Sequence, residues 1–285
     1  MKKFIKKFSF ALILILLSSI IFPPIQTKLL TKNTNCTPSP LVVLDSNSKT
    51  LLPSRFRIAP ELNISGSKQF TPNQLRNIQT TINNPNLYIV DLREESHGFI
   101  NDNTAISFHV PRNFIKESFT ASEILEKEET NLNSIKRTDN LNIYNTKGSI
   151  IETIKPELII SEISLVKSKN INYVRLPVID NYIPNPEIVD EFINLVKNKP
   201  SNSHLHFHCK EGEGRTTMFM SMYEMMHNNN NLSLEQILQH QQNIGGINLT
   251  NNKIRAKFLQ NFYDYTLQNK SNNFNVLYSD WIKNK

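Results

Sequence analysis

Two residues of this sequence, Cys209 and Arg215, have the types and the spacing to do chemistry. They enclose a loop of Lys210, Glu211, Gly212, Glu213 and Gly214. The two glycines allow a tight backbone that can aim several N–H groups at one anion. A cysteine thiolate is a strong nucleophile, and a guanidinium offers a planar fork that matches two oxygens of a phosphoryl group. The spacing therefore predicts a thiolate nucleophile at the bottom of a phosphate-binding loop.

The elements on both sides of the loop support this interpretation. Hydrophobic residues at 205 and 207 alternate with histidines at 204, 206 and 208, which is the period of a strand. From Thr216 to His227 the methionines recur at helical spacing, so the loop ends at a helix N-terminus that favours negative charge. We expect Thr216 to hydrogen-bond the sulfur and His208 to orient the loop from beneath. A buried structural cysteine in an ordinary turn is the alternative, but the combined context argues against it.

The loop resembles the His-Cys-x5-Arg-Ser/Thr signature of the protein tyrosine phosphatase (PTP) superfamily. The run HCKEGEGRTTMFMSMY, residues 208–223, is similar to bacterial PTP-like phytases. Residues 87–101 contain the similar strand end Asp-Leu-Arg followed by Glu-Ser-His-Gly-Phe. A third similar stretch covers residues 52–57 with 65–67 and 69–71 behind it, so the resemblance extends from about residue 52 to the C-terminus.

The resemblance implies an α/β, PTP-like fold with a central twisted sheet flanked by helices and a small inserted partial β-barrel. We expect a signal peptide or N-terminal anchor over residues 1–27, a linker over 28–50 that a short strand at 41–44 interrupts, and a phosphatase domain over 51–285. The β-rich insertion is expected at about 138–172. Capping patterns predict helices that begin after Thr71, Asn185 and Ser233. The charges of the helix predicted over 120–137 are expected to form a solvated face.

The resemblance also implies a reaction: removal of phosphate from myo-inositol hexakisphosphate and lower inositol phosphates through a cysteinyl-phosphate, with no metal or other cofactor. An alkoxide leaves poorly, so a carboxylic acid must protonate it. Asp180 is the candidate because it lies on a short loop in the segment that matches the family's acid loop. The same carboxylate could then activate water. The alternative is a turn or cap aspartate.

Further residues are assigned by the resemblance. Substrate phosphates are expected to contact loop residues 210–214, Thr216, Arg57, Lys253 and Lys257. Lys253 and Lys257 lie with Arg255 at the start of the last predicted helix. For these basic residues solvated surface charge is an equal alternative, and alternation leaves open whether Arg55 or Arg57 turns inward. His208, Asp91, His97 and Asn181 are expected to support the site, although a structural role is the favoured interpretation for His97.

Three positions depart from the family pattern. Asn181 stands where a histidine commonly follows the acid, and Glu213 stands where apolar or basic residues are usual. Glu211 adds a second negative charge to the loop. If the two carboxylates point outward, they weaken substrate binding little. If they face the pocket, they repel a polyanion and favour a less phosphorylated substrate.

The net charge and the N-terminal segment limit which cellular compartment and which partners the sequence supports. The net charge is +7, and subtracting Lys2, Lys3, Lys6 and Lys7 leaves +3, too little to indicate a nucleic-acid partner. These lysines precede an apolar run at 8–22, which indicates export to the periplasm or beyond, with a membrane tether as the alternative. Only Cys36 and Cys209 are cysteines, and we expect Cys36 to lie too far away to form a disulfide with the nucleophile.

Two other functions stay open at this stage. A related phosphatase could act on phosphoinositides or on phosphotyrosine, as a protein-tyrosine or dual-specificity enzyme. A non-catalytic phosphate-binding protein is the alternative from another class, although retention of Cys209, Arg215 and Asp180 argues against it. The oligomeric state is not determined by the sequence.

Overall fold

The computed structural model describes residues 40–47, 49–109, 120–136 and 138–285. The predicted leader (1–27), the apolar run (8–22), Cys36 and most of the predicted linker lie outside the described residues, so export and tethering stay predictions. Within the described part of the chain, no helix combines the length and apolar character that a bilayer crossing requires.

Eleven strands are present in the described residues, and the ends of several of them carry the candidate site residues. They are β1 (Leu41–Ser46), β2 (Arg57–Ala59), β3 (Ile64–Lys68), β4 (Leu87–Arg93), β5 (His97–Ile100), β6 (Thr104–His109), β7 (Leu141–Tyr144), β8 (Ile150–Ile154), β9 (Ile159–Ile160), β10 (Asn172–Val178) and β11 (His204–Cys209).

Eight α-helices accompany these strands in the described residues. They are α1 (Pro72–Ile82), α2 (Ala121–Ile135), α3 (Glu162–Ser168), α4 (Pro186–Asn198), α5 (Gly214–Met226), α6 (Leu234–Asn243), α7 (Lys253–Asn269) and α8 (Tyr278–Lys283).

The central sheet has five strands in the order β10-β4-β11-β3-β2. The strands from β10 to β3 are parallel, and β2 pairs antiparallel with β3 at the edge. Because parallel strands end at the same edge of a sheet, the carboxyl ends of β3, β4, β10 and β11 meet there. This common edge brings the loop after Cys209 close to the segments that follow β4 and β10.

Helices pack on both faces of the central sheet. Along β4, Val90 faces a core built largely from α4, α5, α7 and α8, while Ile89 faces a second core that contains residues of α1 and α3. On β11 the alternation predicted from sequence is confirmed: Phe207 and Cys209 join the first core, and the intervening histidines point to the other face. Every residue of α5 after Gly214 is buried. The predicted α/β class is confirmed.

A second sheet of six strands has the order β8-β7-β1-β6-β5-β9. The expected insertion, residues 138–172, supplies only β7, β8 and β9 of this sheet as well as α3. The order ends at β8 and β9, so the sheet is open in the described residues, and a partial barrel stays a prediction. The short strand expected at 41–44 within the predicted linker is β1, which pairs with β6 and with β7 and buries Val42 and Val43. This part of 28–50 therefore belongs to the second sheet.

Local capping signals explain where several helices begin. Ser233 and Gln236 form the predicted capping box at α6, and Thr71 is the predicted N-cap of α1, where Gln74 completes a second capping box. Asn185 caps α4 through the N–H of Ile188. The prediction for α2 was wrong in one respect: Glu128 is fully buried and ion-paired, and it does not belong to a solvated face.

Candidate active site

Cys209 lies at the carboxyl end of β11 and is only 3% exposed. The Thr216 hydroxyl donates a hydrogen bond to its Sγ over 3.2 Å, as expected from the sequence. The backbone N–H groups of residues 211–216 donate no hydrogen bond to any described residue. This loop therefore offers free donors at a helix N-terminus, with a sulfur nucleophile at the preceding strand end.

Gly212 shows why the loop needs a glycine. Its φ is +71°, and a Cβ there would lie 2.4 Å from the backbone nitrogen of Lys68 at the end of β3. The loop thus packs directly on the neighbouring strand. Of the predicted loop residues, Gly212 supplies backbone conformation, and no side chain could replace it without moving β3.

Arg215 is 2% exposed and its guanidinium is held by Glu95. Its Nη1 and Nη2 donate to the two Glu95 carboxylate oxygens over 2.8 and 3.1 Å, and Nη1 also donates to the carbonyl of Val178 over 3.0 Å. The Nε is buried without a partner among the described residues. Glu95 therefore fixes one edge of the fork. The other edge, Nε with Nη2, meets only the exposed carboxylate of Asp180 among the described residues, and a phosphoryl group could replace that carboxylate.

Glu95 is ionised at every working pH. Burial raises the pKa of its carboxyl, but Arg215 and Arg93 outweigh burial and hold the pKa well below its usual range. Arg93 is fully buried and also pairs with Asp45 over 2.9 Å. A chain of alternating charges thus runs from Asp45 of the second sheet through Arg93 and Glu95 to Arg215.

Asp180 follows β10 and its side chain is 61% exposed. Its Oδ1 lies 3.1 Å from Nη2 of Arg215, and its Oδ2 accepts a hydrogen bond from the Asn181 side chain over 3.1 Å. The structure therefore brings the predicted acid to the predicted arginine. Asn181 has a φ of +67°, which asparagine tolerates better than most residues, and it contacts the acid as a supporting residue.

Arg57 is the inward-facing member of the Arg55 and Arg57 pair. It is 4% exposed, and its guanidinium donates to the carbonyl of Gly212 over 2.9 Å and to Thr217 Oγ1 over 3.1 Å. Burial lowers the pKa of Arg57 to about 10, which leaves it charged at neutral pH. Arg57, the first residue of β2, thus supports the loop of residues 210–214 by binding one of its carbonyl groups.

The two loop carboxylates lie at the rim and point outward. Glu211 pairs with Lys68 over 2.9 Å, and Glu213 pairs with Arg55 over 2.6 Å. Their side chains are 54% and 42% exposed. Lys210 also turns away from the loop and pairs with Asp45 over 3.1 Å. The rim carboxylates therefore neutralise two cations that a polyanion would otherwise meet.

A buried polar network lies beneath the loop. His208 Nε2 lies 2.7 Å from Glu162 Oε1, while the other carboxylate oxygen of Glu162 is 3.1 Å from His97 Nε2. Arg175 binds Glu128 over 2.8 Å, and Tyr173 donates to Asp91 over 2.7 Å. This network joins β4, β5, β10 and β11 to α2 and α3, and it fixes the histidine that precedes the nucleophile.

Asp91, Glu162 and His208 place three ligand-type atoms within 4.8 Å of one another. Each of these side chains is already engaged with protein groups. Asp91 accepts from Tyr173 and lies 3.4 Å from Arg175, and both oxygens of Glu162 face histidines. Cations of the protein itself therefore compensate these carboxylates, and the arrangement supports the strand ends.

A model of the PTP-like phytase family matches residues 90–227, and the description of that family names inositol hexakisphosphate. This stretch contains Cys209, Arg215, Glu95 and Asp180. A PTP-like phytase from Bdellovibrio bacteriovorus is 29% identical, with a TM-score of 0.71 over 86% of this chain and 97% of that one. Residues 90–227 therefore match the PTP-like phytase family, and the chain has the fold of the PTP-like phytases.

Two further relatives of this chain are longer. The PTP-like myo-inositol phosphatase from Mitsuokella multacida, solved with myo-inositol-(1,3,4,5)-tetrakisphosphate, is 27% identical with a TM-score of 0.77, covering 87% of this chain and 49% of that one. Effector protein hopD2 from Pseudomonas syringae pv. tomato is 27% identical over 232 residues, covering 74% of this chain and 49% of that protein. The chain thus spans about half the length of both relatives.

Two predicted binding residues of this chain border a cavity that the loop residues do not line. Lys253 and Lys257 border a cavity of about 490 Å³. None of residues 209–216 lines that cavity, whose walls are Ile183, Pro184, Pro186, Ile254, Phe258, Asn261, Tyr278 and Ile282. Contact of these lysines with substrate phosphates stays a prediction.

Sequence reasoning missed the residues that hold Arg215 and those that build the buried polar network. Glu95 could have been suspected, because it follows the Asp-Leu-Arg strand end within the family motif. Glu128 and Glu162 carried no such signal, since each lies in a polar helical segment far along the chain from its partners. Their burial depends on where α2 and α3 pack.

Proposed function

We propose that this chain is a cysteine-dependent phosphatase of inositol polyphosphates. The observation that carries the proposal is the arrangement around Arg215: Glu95 occupies one edge of its guanidinium, and the other edge faces Asp180 near a loop of free N–H donors. The oxygens of a phosphoryl group are the acceptors that the N–H groups of this edge and of the loop require. Support also comes from the family match and from the relative that binds an inositol tetrakisphosphate.

In the first step the thiolate of Cys209 attacks phosphorus. The S–P bond forms as the P–O bond to the inositol breaks, and Asp180 in its acid form gives its proton to the departing oxygen. Arg215 and the loop amides stabilise the charge on the three equatorial oxygens. The Thr216 hydroxyl, 3.2 Å from Sγ, stabilises the thiolate before attack.

In the second step the Asp180 carboxylate takes a proton from a water molecule, and the water oxygen attacks the phosphocysteine. The P–O bond forms, the S–P bond breaks, and inorganic phosphate leaves while Cys209 returns to its thiolate. Protein side chains supply the nucleophile, the acid and the anion-binding groups of both steps. We therefore propose that the reaction needs no metal or other cofactor.

Phosphate release from myo-inositol hexakisphosphate in the presence of EDTA tests the proposal. We expect release by the wild type, no release by Cys209→Ser, and retained binding of the substrate by that variant. Quenching during turnover should show one phosphoryl group on Cys209 by mass spectrometry. Activity that persists in Cys209→Ser, or activity that EDTA abolishes, would refute the assignment.

A second candidate is a phosphatase of phosphoinositides or phosphotyrosine. The cavity beside the Asp180 loop favours it, because Ile183, Pro184, Ile254 and Phe258 offer an apolar surface to the ring of phosphotyrosine or to the lipid part of a phosphoinositide. Side-by-side kcat/KM values for inositol hexakisphosphate, a phosphoinositide and a phosphotyrosine peptide decide between the two. A non-catalytic phosphate-binding protein would bind these ligands and release no phosphate from any of them.

A further inference from the structure

Asp45, on β1 of the second sheet, is a carboxylate that meets cations from two parts of the active site. Its side chain is fully buried. Its Oδ2 lies 2.9 Å from Nη1 of Arg93, and its Oδ1 lies 3.1 Å from Nζ of Lys210. The Ser107 hydroxyl donates a hydrogen bond to Oδ1 over 2.8 Å. A residue outside the stretch 90–227 that matches the family model therefore reaches the loop from the other sheet.

The contact with Arg93 leads to the arginine at the end of the loop. Arg93 Nε lies 3.0 Å from Glu95 Oε1, and the same oxygen accepts a hydrogen bond from Nη2 of Arg215 over 3.1 Å. Arg93 and Arg215 therefore compete for one carboxylate. Because Asp45 binds another nitrogen of the Arg93 guanidinium, it limits how strongly Arg93 draws Glu95 away from Arg215.

The contact with Lys210 leads to the residue that follows the nucleophile. Its ammonium pairs with Asp45, and its side chain is 21% exposed. Its backbone carbonyl accepts a hydrogen bond from the N–H of Gln69, just after β3, over 3.3 Å. The side chain and the backbone of Lys210 are thus bound to different strand ends, which fixes the chain where it leaves Cys209.

Both contacts depend on the negative charge of Asp45. Burial raises the pKa of its carboxyl, but Arg93 and Lys210 outweigh burial and hold the pKa below its ordinary value. Asp45 is therefore ionised at neutral pH. Loss of this charge would leave the buried Arg93 with Glu95 as its nearest compensation and would release the Lys210 ammonium.

We propose that Asp45 is a positioning residue that holds both ends of the phosphate-binding loop; this inference rests on the proposed function. It holds Lys210 directly. It holds Arg215 through two intermediates, Arg93 and Glu95. Since both ends of the loop surround the phosphoryl group that is transferred, the effect of Asp45 should be common to substrates with different leaving groups.

The first test compares kcat with KM in Asp45→Asn. We expect kcat to fall about ten- to a hundredfold for both p-nitrophenyl phosphate and inositol hexakisphosphate, because a displaced Arg215 no longer matches the transition state. KM should change much less, since loss of a negative charge near the loop favours anion binding. Asp102→Asn, in an exposed ion pair with Arg76, is the matched control and should leave kcat and KM unchanged. A constant kcat, or a fall for one substrate alone, would overturn the proposal.

Double variants test whether the effect passes through the proposed contacts. The factor by which Asp45→Asn lowers kcat is measured again in Glu95→Gln and in Lys210→Met. Independent effects would give the same factor in every background, and the simple loss of a charge contributes equally to each. We expect the factor to shrink about threefold or more in both variants and to stay constant in Asp102→Asn. A constant factor in either Glu95→Gln or Lys210→Met would show that Asp45 does not hold both ends.

A milder variant keeps the inference testable if Asp45→Asn does not fold. Ser107→Ala retains every charge and removes one hydrogen bond that orients Asp45. We expect kcat to fall about two- to tenfold, and this fall should shrink in Glu95→Gln. A folded Ser107→Ala form with the kcat of the wild type would contradict the role of Asp45.

Binding separates this inference from the proposed function. Inorganic phosphate is titrated into the Cys209→Ser form, with Asp45→Asn and Glu95→Gln added singly and together. If the wild type releases no phosphate but Asp45→Asn changes phosphate affinity by different factors with and without Glu95→Gln, the reaction is wrong and the positioning role stands. Equal factors, with normal turnover by the wild type, would overturn the role of Asp45 while leaving the reaction intact.

Discussion

Asp180 Oδ1 lies 3.1 Å from Nη2 of Arg215, so the acid occupies the edge of the guanidinium that a phosphoryl group would use. The Asp180 side chain is 61% exposed, and exposed ion pairs contribute little, about 0–1 kcal/mol. A phosphoryl group can therefore displace the carboxylate at small cost. The displaced carboxyl then lies beside the phosphoryl group, where the leaving oxygen departs.

This relationship predicts two effects of Asp180→Asn. We expect kcat for inositol hexakisphosphate to fall about a hundredfold or more, because the alkoxide loses its proton donor. For p-nitrophenyl phosphate the fall should be much smaller, since nitrophenolate leaves without protonation. Binding of vanadate should strengthen, because Arg215 no longer has a competing charge. Equal rate losses for both substrates would remove Asp180 from the role of acid.

The rim carboxylates predict a change in substrate preference. In the double variant Glu211→Gln with Glu213→Gln, Lys68 and Arg55 lose their partners and become available to a polyanion. We expect kcat/KM for inositol hexakisphosphate to rise about three- to tenfold and to become more sensitive to salt. Hydrolysis of p-nitrophenyl phosphate should be unchanged. Glu152→Gln with Glu157→Gln, at exposed positions 152 and 157, is the control of equal charge.

Two glycines with positive φ provide a matched test of the loop. Gly212 (φ +71°) has the backbone of β3 within 2.4 Å of its missing Cβ, whereas Gly148 (φ +81°) has open space around it. We expect Gly148→Ala to cost only backbone strain, about 1 kcal/mol. Gly212→Ala adds a backbone clash, so its cost should reach about 2–4 kcal/mol and activity should be lost. Chemical denaturation and phosphate release measure the two effects, and equal stability of the variants would contradict the packing described.

His97 predicts a pH dependence of stability. Burial and Arg93 lower the pKa of His97, but Asp91 and Glu128 outweigh them and raise it to about 10. A raised pKa in the folded state stabilises the protein fully below the unfolded value of about 6.5, and this contribution is lost as pH rises towards 10. The melting temperature of the wild type should therefore fall across this range.

His97→Gln should remove most of that dependence and lower the melting temperature at neutral pH. The exposed His109 provides the control, because His109→Gln should leave the pH profile unchanged. NMR of the imidazole offers a direct measurement: the His97 ring should stay protonated at pH 8. A ring that titrates near pH 6.5 would show that the carboxylates do not hold the charge.

Local signals in the sequence predicted much of the site. The strand alternation before Cys209, the spaced glycines and the helical period after Thr216 are encoded within about 25 residues, and the structure places them as expected. The helix starts at Thr71, Asn185 and Ser233 were predictable for the same reason, because a cap and its partner are three residues apart. The choice of Asp180 depended on its match to the family's acid loop.

Nonlocal packing decided what the sequence alone did not. The pairing of β1 with β6, the burial of Glu128 against Arg175 and the ion pair of Glu95 with Arg215 join residues 47 to 120 positions apart. The three basic residues at the start of α7 look alike in sequence, yet only Arg255 faces the loop. Residue types and short spacings were enough to predict the proposed chemistry, because a turn, a cap or a strand end is built from residues that are neighbours in the chain. Which charges are buried, and which of them lack a partner, was decided only when the sheets and helices packed together.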